Sequence, residues 1–227
     1  MSYAKETYPL HGACACGQTT YTVSLAPLIV HCCHCTSCQR QLGSSYAINA
    51  LVEAEAVTAK FLPLSTSSGI DAAFARLTAS TAAISLEEKN ETRDAAATKL
   101  PAEENSKTDV TAGRHNQLER TTVPTESHRG QTMVSCPACH TVLWSHYDGS
   151  GPHLAFVRVG TLDEPHRVQP DAHIYTRSKS PFITMSDGKP QFEGYYEDRK
   201  AFYRPETLDR VAALEVKVAE YKKQLQG

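Results

Sequence analysis

Short apolar runs lie on either side of a long polar segment. These runs are rich in β-branched and aromatic residues and are bounded by Gly, Pro or Ser, a pattern typical of short strands. The predicted strands cover residues 18–23, 28–31, 46–52, 154–159 and 173–176. The pattern therefore predicts a mainly β chain built from short strands.

Residues 65–131 have a different character. The segment is rich in Ala, Thr, Ser, Glu and Lys, and Phe74 is its only Phe, Tyr or Trp. Such a composition buries too little apolar surface to offset the entropy of ordering the chain. We interpret 65–131 as a low-complexity insertion, disordered or partly helical around 72–77 and 81–91. A small helical subdomain is the alternative, because Ala-rich windows form helices.

The last segment, 205–227, predicts one amphipathic helix. Its apolar residues are spaced three and four apart, with Glu and Lys between them. They are Val211, Leu214, Val218, Tyr221 and Leu225. Two heptads are too few to indicate a coiled coil, so we expect the apolar face to pack on the domain formed by 1–64 and 132–204. Self-association as a homodimer is the alternative.

All eight cysteines fall in two blocks, 14–38 and 136–139. The N-terminus has no apolar signal sequence and no apolar run is long enough to span a bilayer, which predicts a soluble, cytoplasmic protein outside the membrane. Disulfides are rare in that compartment, so metal binding explains the thiols better. The net charge of −2 gives no basic footprint for nucleic acid.

The cysteine spacing suits zinc. Cys14 and Cys16 form a C-x-C pair, and Cys136 and Cys139 form a distant C-x-x-C pair. Together they would make a closed, structural site of four thiolates. The remaining motif is C-x-C-x-x-C, and its residues are Cys33, Cys35 and Cys38. Three ligands leave a fourth position open for a substrate atom, as in catalytic zinc sites.

Two alternatives stay open at this stage. Cys32, His31 or His34 could supply a fourth ligand to the trio and make that site structural. Cys136 and Cys139 could instead be a redox dithiol, although no βαβ pattern surrounds them. His34 and His173 are also candidates for proton transfer, and Trp144 is expected to pack in the core.

These motifs resemble a known family. The order G-x-C-x-C-G at 12–17, C-H-C-x-x-C-Q-R at 33–40 and C-P-x-C-x-x-x-L-W at 136–144 is similar to that of the glutathione-dependent formaldehyde-activating enzymes, which share their domain with centromere protein V. The stretches 159–163, 173–182 and 187–192 look like that family too. One departure is His140, which stands where the family usually has glycine. The long insertion is another.

The resemblance implies a fold, a set of ligands and a reaction. The fold is a β-tent of small antiparallel sheets around zinc knuckles. Cys14, Cys16, Cys136 and Cys139 would hold a structural zinc, and Cys33, Cys35 and Cys38 a catalytic one. Glutathione is the implied co-substrate, and with formaldehyde it would give S-(hydroxymethyl)glutathione, a carbon–sulfur lyase or synthase reaction.

The substrate contacts are less defined by the sequence. Arg40, Arg177 and Lys179 are the candidates to pair with the carboxylates of glutathione. The expected partners are a small-molecule thiol and an electrophile, either formaldehyde or a related biosynthetic compound. The alternative function is a non-enzymatic zinc module that binds another protein.

Overall fold

The computed structural model describes residues 8–62, 117–125, 130–198 and 200–225. The predicted insertion therefore lies mostly outside the described residues. Its C-terminal part, 117–125, is described, and it carries a strand, Glu119–Val123, that pairs with the strand Gln131–Ser135. The exposed, threonine-rich sequence of that strand gave no alternating pattern from which to recognise it.

Two sheets make up the fold. The smaller has three strands in the order β1-β2-β5, and the larger has seven in the order β10-β3-β4-β9-β8-β7-β6. The strands are β1 Leu10–Ala13, β2 Thr19–Val23, β3 Ile29–Cys33, β4 Ala47–Glu53, β5 Val57–Phe61, β6 Glu119–Val123, β7 Gln131–Ser135, β8 Val142–Tyr147, β9 Leu154–Arg158 and β10 Ala172–Ile174. Neighbouring strands are antiparallel except for β10, which pairs with β3 in parallel.

The strands β3 and β4 are buried on both faces and divide the core in two. Val30 and Val52 belong to a cluster that also contains Tyr21 of the small sheet and Trp144 of β8. This cluster packs one sheet on the other, and it confirms the core position expected for Trp144. Successive strand residues point to opposite faces. The residues just before these two valines, Ile29 and Leu51, therefore face a second cluster.

Two helices complete the described part of the chain. Helix α1, Thr36–Leu42, follows β3 and ends at Gly43, whose φ of 58° is the left-handed conformation that glycine adopts most readily. Helix α2, Leu208–Gln224, buries Val211 and Leu214 in the second core cluster. The first part of the predicted apolar face thus packs on its own domain, whereas Leu225 at its end is 67% exposed. No helix among the described residues is long and apolar enough to cross a membrane.

The mainly β class and the C-terminal helix are confirmed. Each predicted strand is present, as β2, β3, β4, β9 and β10. The strands that the sequence pattern missed are β1 and β5 to β8. Only β6 among them is polar and exposed along most of its length, whereas β8, Val142–Tyr147, is apolar and largely buried.

Candidate active site

Four cysteines from two turns form the first cluster. Cys14 and Cys16 lie in the turn between β1 and β2, and Cys136 and Cys139 lie in the turn between β7 and β8. Their sulfur atoms lie within 4.8 Å of one another, with Cys14 to Cys16 at 3.4 Å and Cys16 to Cys136 at 3.8 Å. Sulfurs around a tetrahedral zinc ion are about 3.8 Å apart, given a Zn–S bond of about 2.3 Å. The donor set and its spacing fit a metal ion.

Backbone amides support this cluster. The amide of Thr19 donates to the sulfur of Cys14 at 3.2 Å, and the amide of Ala138 donates to the sulfur of Cys136 at 3.4 Å. Burial works to raise the pKa of Cys139, but hydrogen bonds from Thr141 and neighbouring groups bring it down to about 6. At Cys139 these contacts favour thiolate, which is the form that binds metal, whereas burial raises the pKa values of Cys14 and Cys16.

His140 lies in the turn that carries Cys136 and Cys139, at the position where the family usually has glycine. Its φ is 58°, a left-handed conformation that is uncommon for a residue with a side chain. The turn closes with a hydrogen bond from the His140 amide to the carbonyl of Cys136 at 2.9 Å. The imidazole also contacts the carboxylate of Glu119 at 2.7 Å. The departure therefore leaves the knuckle geometry intact and adds local strain.

Three cysteines form the second cluster at the end of β3. Cys33 is the last residue of β3, Cys35 caps helix α1, and Cys38 lies in the first turn of that helix. Their sulfurs lie within 4.8 Å of one another, and all three residues are buried. Hydrogen bonds from the Cys33 and Cys38 thiols lower the pKa of Cys35 to about 3. The contact with Cys35 in turn raises the pKa of Cys33.

No fourth ligand completes this trio within the described ranges. No other His, Cys, Asp or Glu among the described residues places a ligand atom within 4.8 Å of all three sulfurs. Cys32 and His34 belong to a separate cluster with His173. The nitrogen Nε2 of His31 is engaged with the hydroxyl of Tyr196 at 2.7 Å. The described residues thus offer the trio three sulfur ligands, and its open fourth position stays a prediction.

A cavity of about 550 Å³ opens onto the trio. Cys33 and Cys35 line it, together with His31 and Asn49 of the large sheet. Much of the remaining wall is aromatic, formed by Tyr147, Phe156, Tyr175, Tyr195, Tyr196 and Tyr203. Among the described lining residues, Glu197 is the only Asp, Glu, Lys or Arg. The volume is within the range of about 300–1,000 Å³ typical of small-molecule sites.

Arg158 places a buried positive charge beside the trio. The residue is 3% exposed, and its Nη2 donates to the side-chain oxygen of Gln41 at 2.8 Å. No carboxylate pairs with it in the part of the chain that the structure describes. The hydrogen bond with Cys33 lowers the pKa of Cys38, but the hydrogen bond with Cys35 and burial raise it to about 11, and the Arg158 charge has a smaller lowering effect. One arginine in the otherwise apolar run 154–159 was the sequence signal for this buried charge.

The predicted carboxylate-binding residues lie outside the cavity wall. Arg40 is exposed on α1. Lys179 donates from Nζ to the carbonyl of Ile183 at 2.6 Å. The guanidinium of Arg177 stacks over the ring of Tyr175, 5.2 Å from its centroid. Because Tyr175 lines the cavity, Arg177 is the one of the three with a contact to the cavity wall, and the role of all three stays a prediction.

A comparison with protein families supplies the identity. A family model described as glutathione-dependent formaldehyde-activating enzyme matches residues 9–68 and 90–178. The chain belongs to this family. The matched residues include both turns of the four-cysteine cluster and the whole trio, so the family resemblance seen in the motifs is confirmed. No curated protein matches the chain.

The structure adds three residues to the site that no sequence pattern indicated as cavity residues: His31, Tyr195 and Tyr196. His31 had been considered only as a ligand, whereas it lines the cavity and contacts Tyr196. Tyr195 and Tyr196 had no recognised role, although the hydroxyl of Tyr195 reaches that of Tyr196 at 3.5 Å. The pair of adjacent tyrosines after Gly194 was the available signal, but nothing in the local sequence relates it to a site 160 residues earlier.

Proposed function

We propose that this family member is a zinc-dependent carbon–sulfur lyase or synthase that joins the thiol of glutathione to an aldehyde or a related electrophile. The observation that carries the proposal is the trio of Cys33, Cys35 and Cys38 at the floor of a cavity. Cys33 and Cys35 line that cavity, and no fourth protein ligand completes the set among the described residues. An incoming sulfur atom therefore has a route to the metal position.

The two sulfur clusters would hold zinc in different roles. The four-cysteine cluster would hold a closed, structural ion, and the trio an ion with an open position. Zinc at the trio would keep a substrate thiol deprotonated, since a coordinating thiol loses its proton. Three thiolates and one divalent ion leave a net charge of −1, and the buried guanidinium of Arg158 offsets it.

The chain itself offers a proton path at the cavity. The hydroxyl of Tyr196 and Nε2 of His31 are 2.7 Å apart, which is hydrogen-bonding distance. In the addition, the sulfur–carbon bond forms while the carbonyl π bond breaks, and the thiol proton ends on the former carbonyl oxygen. We assign the His31–Tyr196 pair to hold and deliver that proton. The reverse reaction breaks the same bond and returns the proton to sulfur.

The aromatic cavity wall indicates which class of electrophile the site would favour. Formaldehyde has no aromatic surface to stack, whereas the wall presents the rings of Phe156, Tyr175 and Tyr203. Aromatic side chains favour flat or apolar groups by stacking and by burial of apolar area. The cavity therefore suits an aldehyde or other electrophile that carries an unsaturated group, with formaldehyde as the smallest member of the class.

Arg40, Arg177 and Lys179 remain the proposed partners for the carboxylates of glutathione. A guanidinium binds a carboxylate through two parallel hydrogen bonds. Arg177 is the best placed, because it covers the outer side of Tyr175. A tripeptide thiol that entered from this rim would keep its charged ends near solvent and its sulfur toward the trio.

The test compares zinc-loaded protein with its Cys35→Ser variant. Exchange spectroscopy on glutathione and formaldehyde should show a rate above that of the spontaneous condensation, and the variant should return the rate to the spontaneous value. The same two proteins are then titrated with glutathione by calorimetry. Binding without acceleration would point to a different electrophile, whereas absence of both would contradict the proposal and favour a non-enzymatic zinc module.

A further inference from the structure

The face of β3 opposite the cavity presents a separate set of metal-binding side chains. Cys33 and Cys35 point to the cavity, so their alternating neighbours Cys32 and His34 point away from it. In the parallel pairing of β10 with β3, His173 is aligned with Cys32. Aligned residues on neighbouring strands project from the same face. The fold thus brings one thiol and two imidazoles together behind the trio.

The three donor atoms lie close together. The sulfur of Cys32 is 3.5 Å from Nε2 of His34, and that nitrogen is 3.2 Å from Nδ1 of His173. In a tetrahedral zinc site these separations would be about 3.6 Å and about 3.3 Å, given Zn–S and Zn–N bonds of about 2.3 and 2.0–2.1 Å. All three atoms lie within 4.8 Å of one another. The spacing already matches that of a ligand set.

Asp187 fixes the orientation of one imidazole. Its carboxylate lies 2.8 Å from Nε2 of His173, so that nitrogen carries the proton and donates it. The lone pair of His173 is then on Nδ1, which faces His34 and Cys32. A carboxylate that hydrogen-bonds the far nitrogen of a histidine is the usual outer support of a histidine ligand to a metal.

Hydrogen bonding alone does not satisfy the cluster. A ring nitrogen of a neutral imidazole is either a donor or an acceptor. His34 Nε2 therefore cannot donate to Nδ1 of His173 and also accept from the thiol of Cys32. A proton on Nε2 of His34 can be shared by Nδ1 of His173 and the sulfur of Cys32, but the thiol proton of Cys32 then has no acceptor left among the three donor atoms, in a site where His34 and Cys32 are almost fully buried. A cation satisfies all three lone pairs at once.

We propose that Cys32, His34 and His173 form a third metal site, which takes a divalent ion of the zinc class. One thiolate and two neutral imidazoles give the loaded site a charge of +1, and the carboxylate of Asp187 balances it. A mixed ligand set of sulfur and nitrogen suits zinc or cobalt. The site is chemically distinct from the two sulfur clusters, and it does not depend on the proposed reaction.

The first test uses the wild-type chain saturated with Zn²⁺ and then desalted. We expect three zinc ions per chain by elemental analysis, and X-ray absorption should show imidazole scattering beside the sulfur shell. The two sulfur clusters contain cysteine alone. Without the third site, the spectrum would therefore show sulfur ligation with no imidazole, and that result would overturn the proposal without any variant.

The second test removes one ligand. His173→Ala should lower the metal content from three ions to two and remove the imidazole signal, and Cys33→Ser should lower the content but keep that signal. The matched control is His146→Ala. His146 is also buried, but its Nδ1 bonds the carbonyl of Leu154, and it belongs to none of the metal-ligand clusters.

The comparison of His173→Ala with His146→Ala distinguishes loss of a ligand from general damage to the fold. If His146→Ala and His173→Ala lose metal and imidazole scattering equally, the loss reports general damage and the assignment to His173 is overturned. The visible spectra of the Co²⁺-loaded wild type and the Co²⁺-loaded His173→Ala protein are also compared. If the two spectra are the same, the cluster did not bind the ion and the proposal is overturned. A reduced count confined to His173→Ala and Cys32→Ser supports the site.

Discussion

The guanidinium of Arg158 donates to the side-chain oxygen of Asn49 at 2.6 Å. Asn49 lines the cavity, and Arg158 lies behind it in the core. The contact links the wall of the proposed active site to a buried positive charge. Because an unpaired buried charge is costly, its retention beside three thiols calls for a negative partner, and a zinc trithiolate supplies one.

The first prediction follows from this pairing. Arg158→Met should weaken metal binding at the trio by roughly tenfold, equivalent to about 1.4 kcal/mol, because the loaded site would keep an uncompensated charge of −1. The loss should be larger at lower pH, since protons then compete better for thiolates that no longer have a neighbouring cation. Competition with a chromophoric chelator measures both effects.

The control for Arg158 is Arg167→Met. Arg167 pairs with Glu164 near the surface, and such pairs contribute little to stability. Equal affinity of the wild type and Arg158→Met across the pH range would show that the guanidinium serves the fold alone.

The second prediction separates the two sulfur clusters by their effect on folding. Cys136→Ser should abolish the cooperative thermal transition or lower its midpoint severely, because a structural zinc contributes on the order of 10–16 kcal/mol of apparent binding free energy. Cys33→Ser should lose one metal and keep the transition. Calorimetry with parallel metal analysis gives both results. Similar melting of the two variants would contradict the division into structural and catalytic sites.

The sequence predicts the ligands of this protein better than its cavity. The C-x-C and C-x-x-C spacings predicted a group of Cys14, Cys16, Cys136 and Cys139 beside the dithiol alternative, and the fold brings the four sulfurs within 4.8 Å of one another. Cys32 and Cys33 point to opposite faces because β3 continues as a strand to Cys33. Without that strand boundary, the sequence does not indicate that Cys32 lies apart from the trio. The cavity wall depends on Tyr196, brought in by tertiary packing that no local pattern encodes.

The third prediction concerns the strained knuckle at His140. His140→Gly should raise stability by up to about 1 kcal/mol, because glycine adopts a positive φ without the steric cost that a side chain incurs. The lost contact with Glu119 is exposed and contributes little. His140→Ala keeps a side chain and loses the contact, so it should be no more stable than the wild type. Chemical denaturation of the three proteins checks the order.

The last prediction tests the proposed proton path. Tyr196→Phe removes only the hydroxyl that lies 2.7 Å from His31 and keeps the ring that packs in the core. General acid–base groups contribute about 10²–10⁴-fold, so adduct formation should slow by at least about 100-fold while the affinity for glutathione stays the same. Tyr203→Phe is the matched control, because Tyr203 lines the same cavity and has no assigned role in the path. A loss of glutathione affinity in Tyr196→Phe with an unchanged maximal rate would instead assign the hydroxyl to substrate binding.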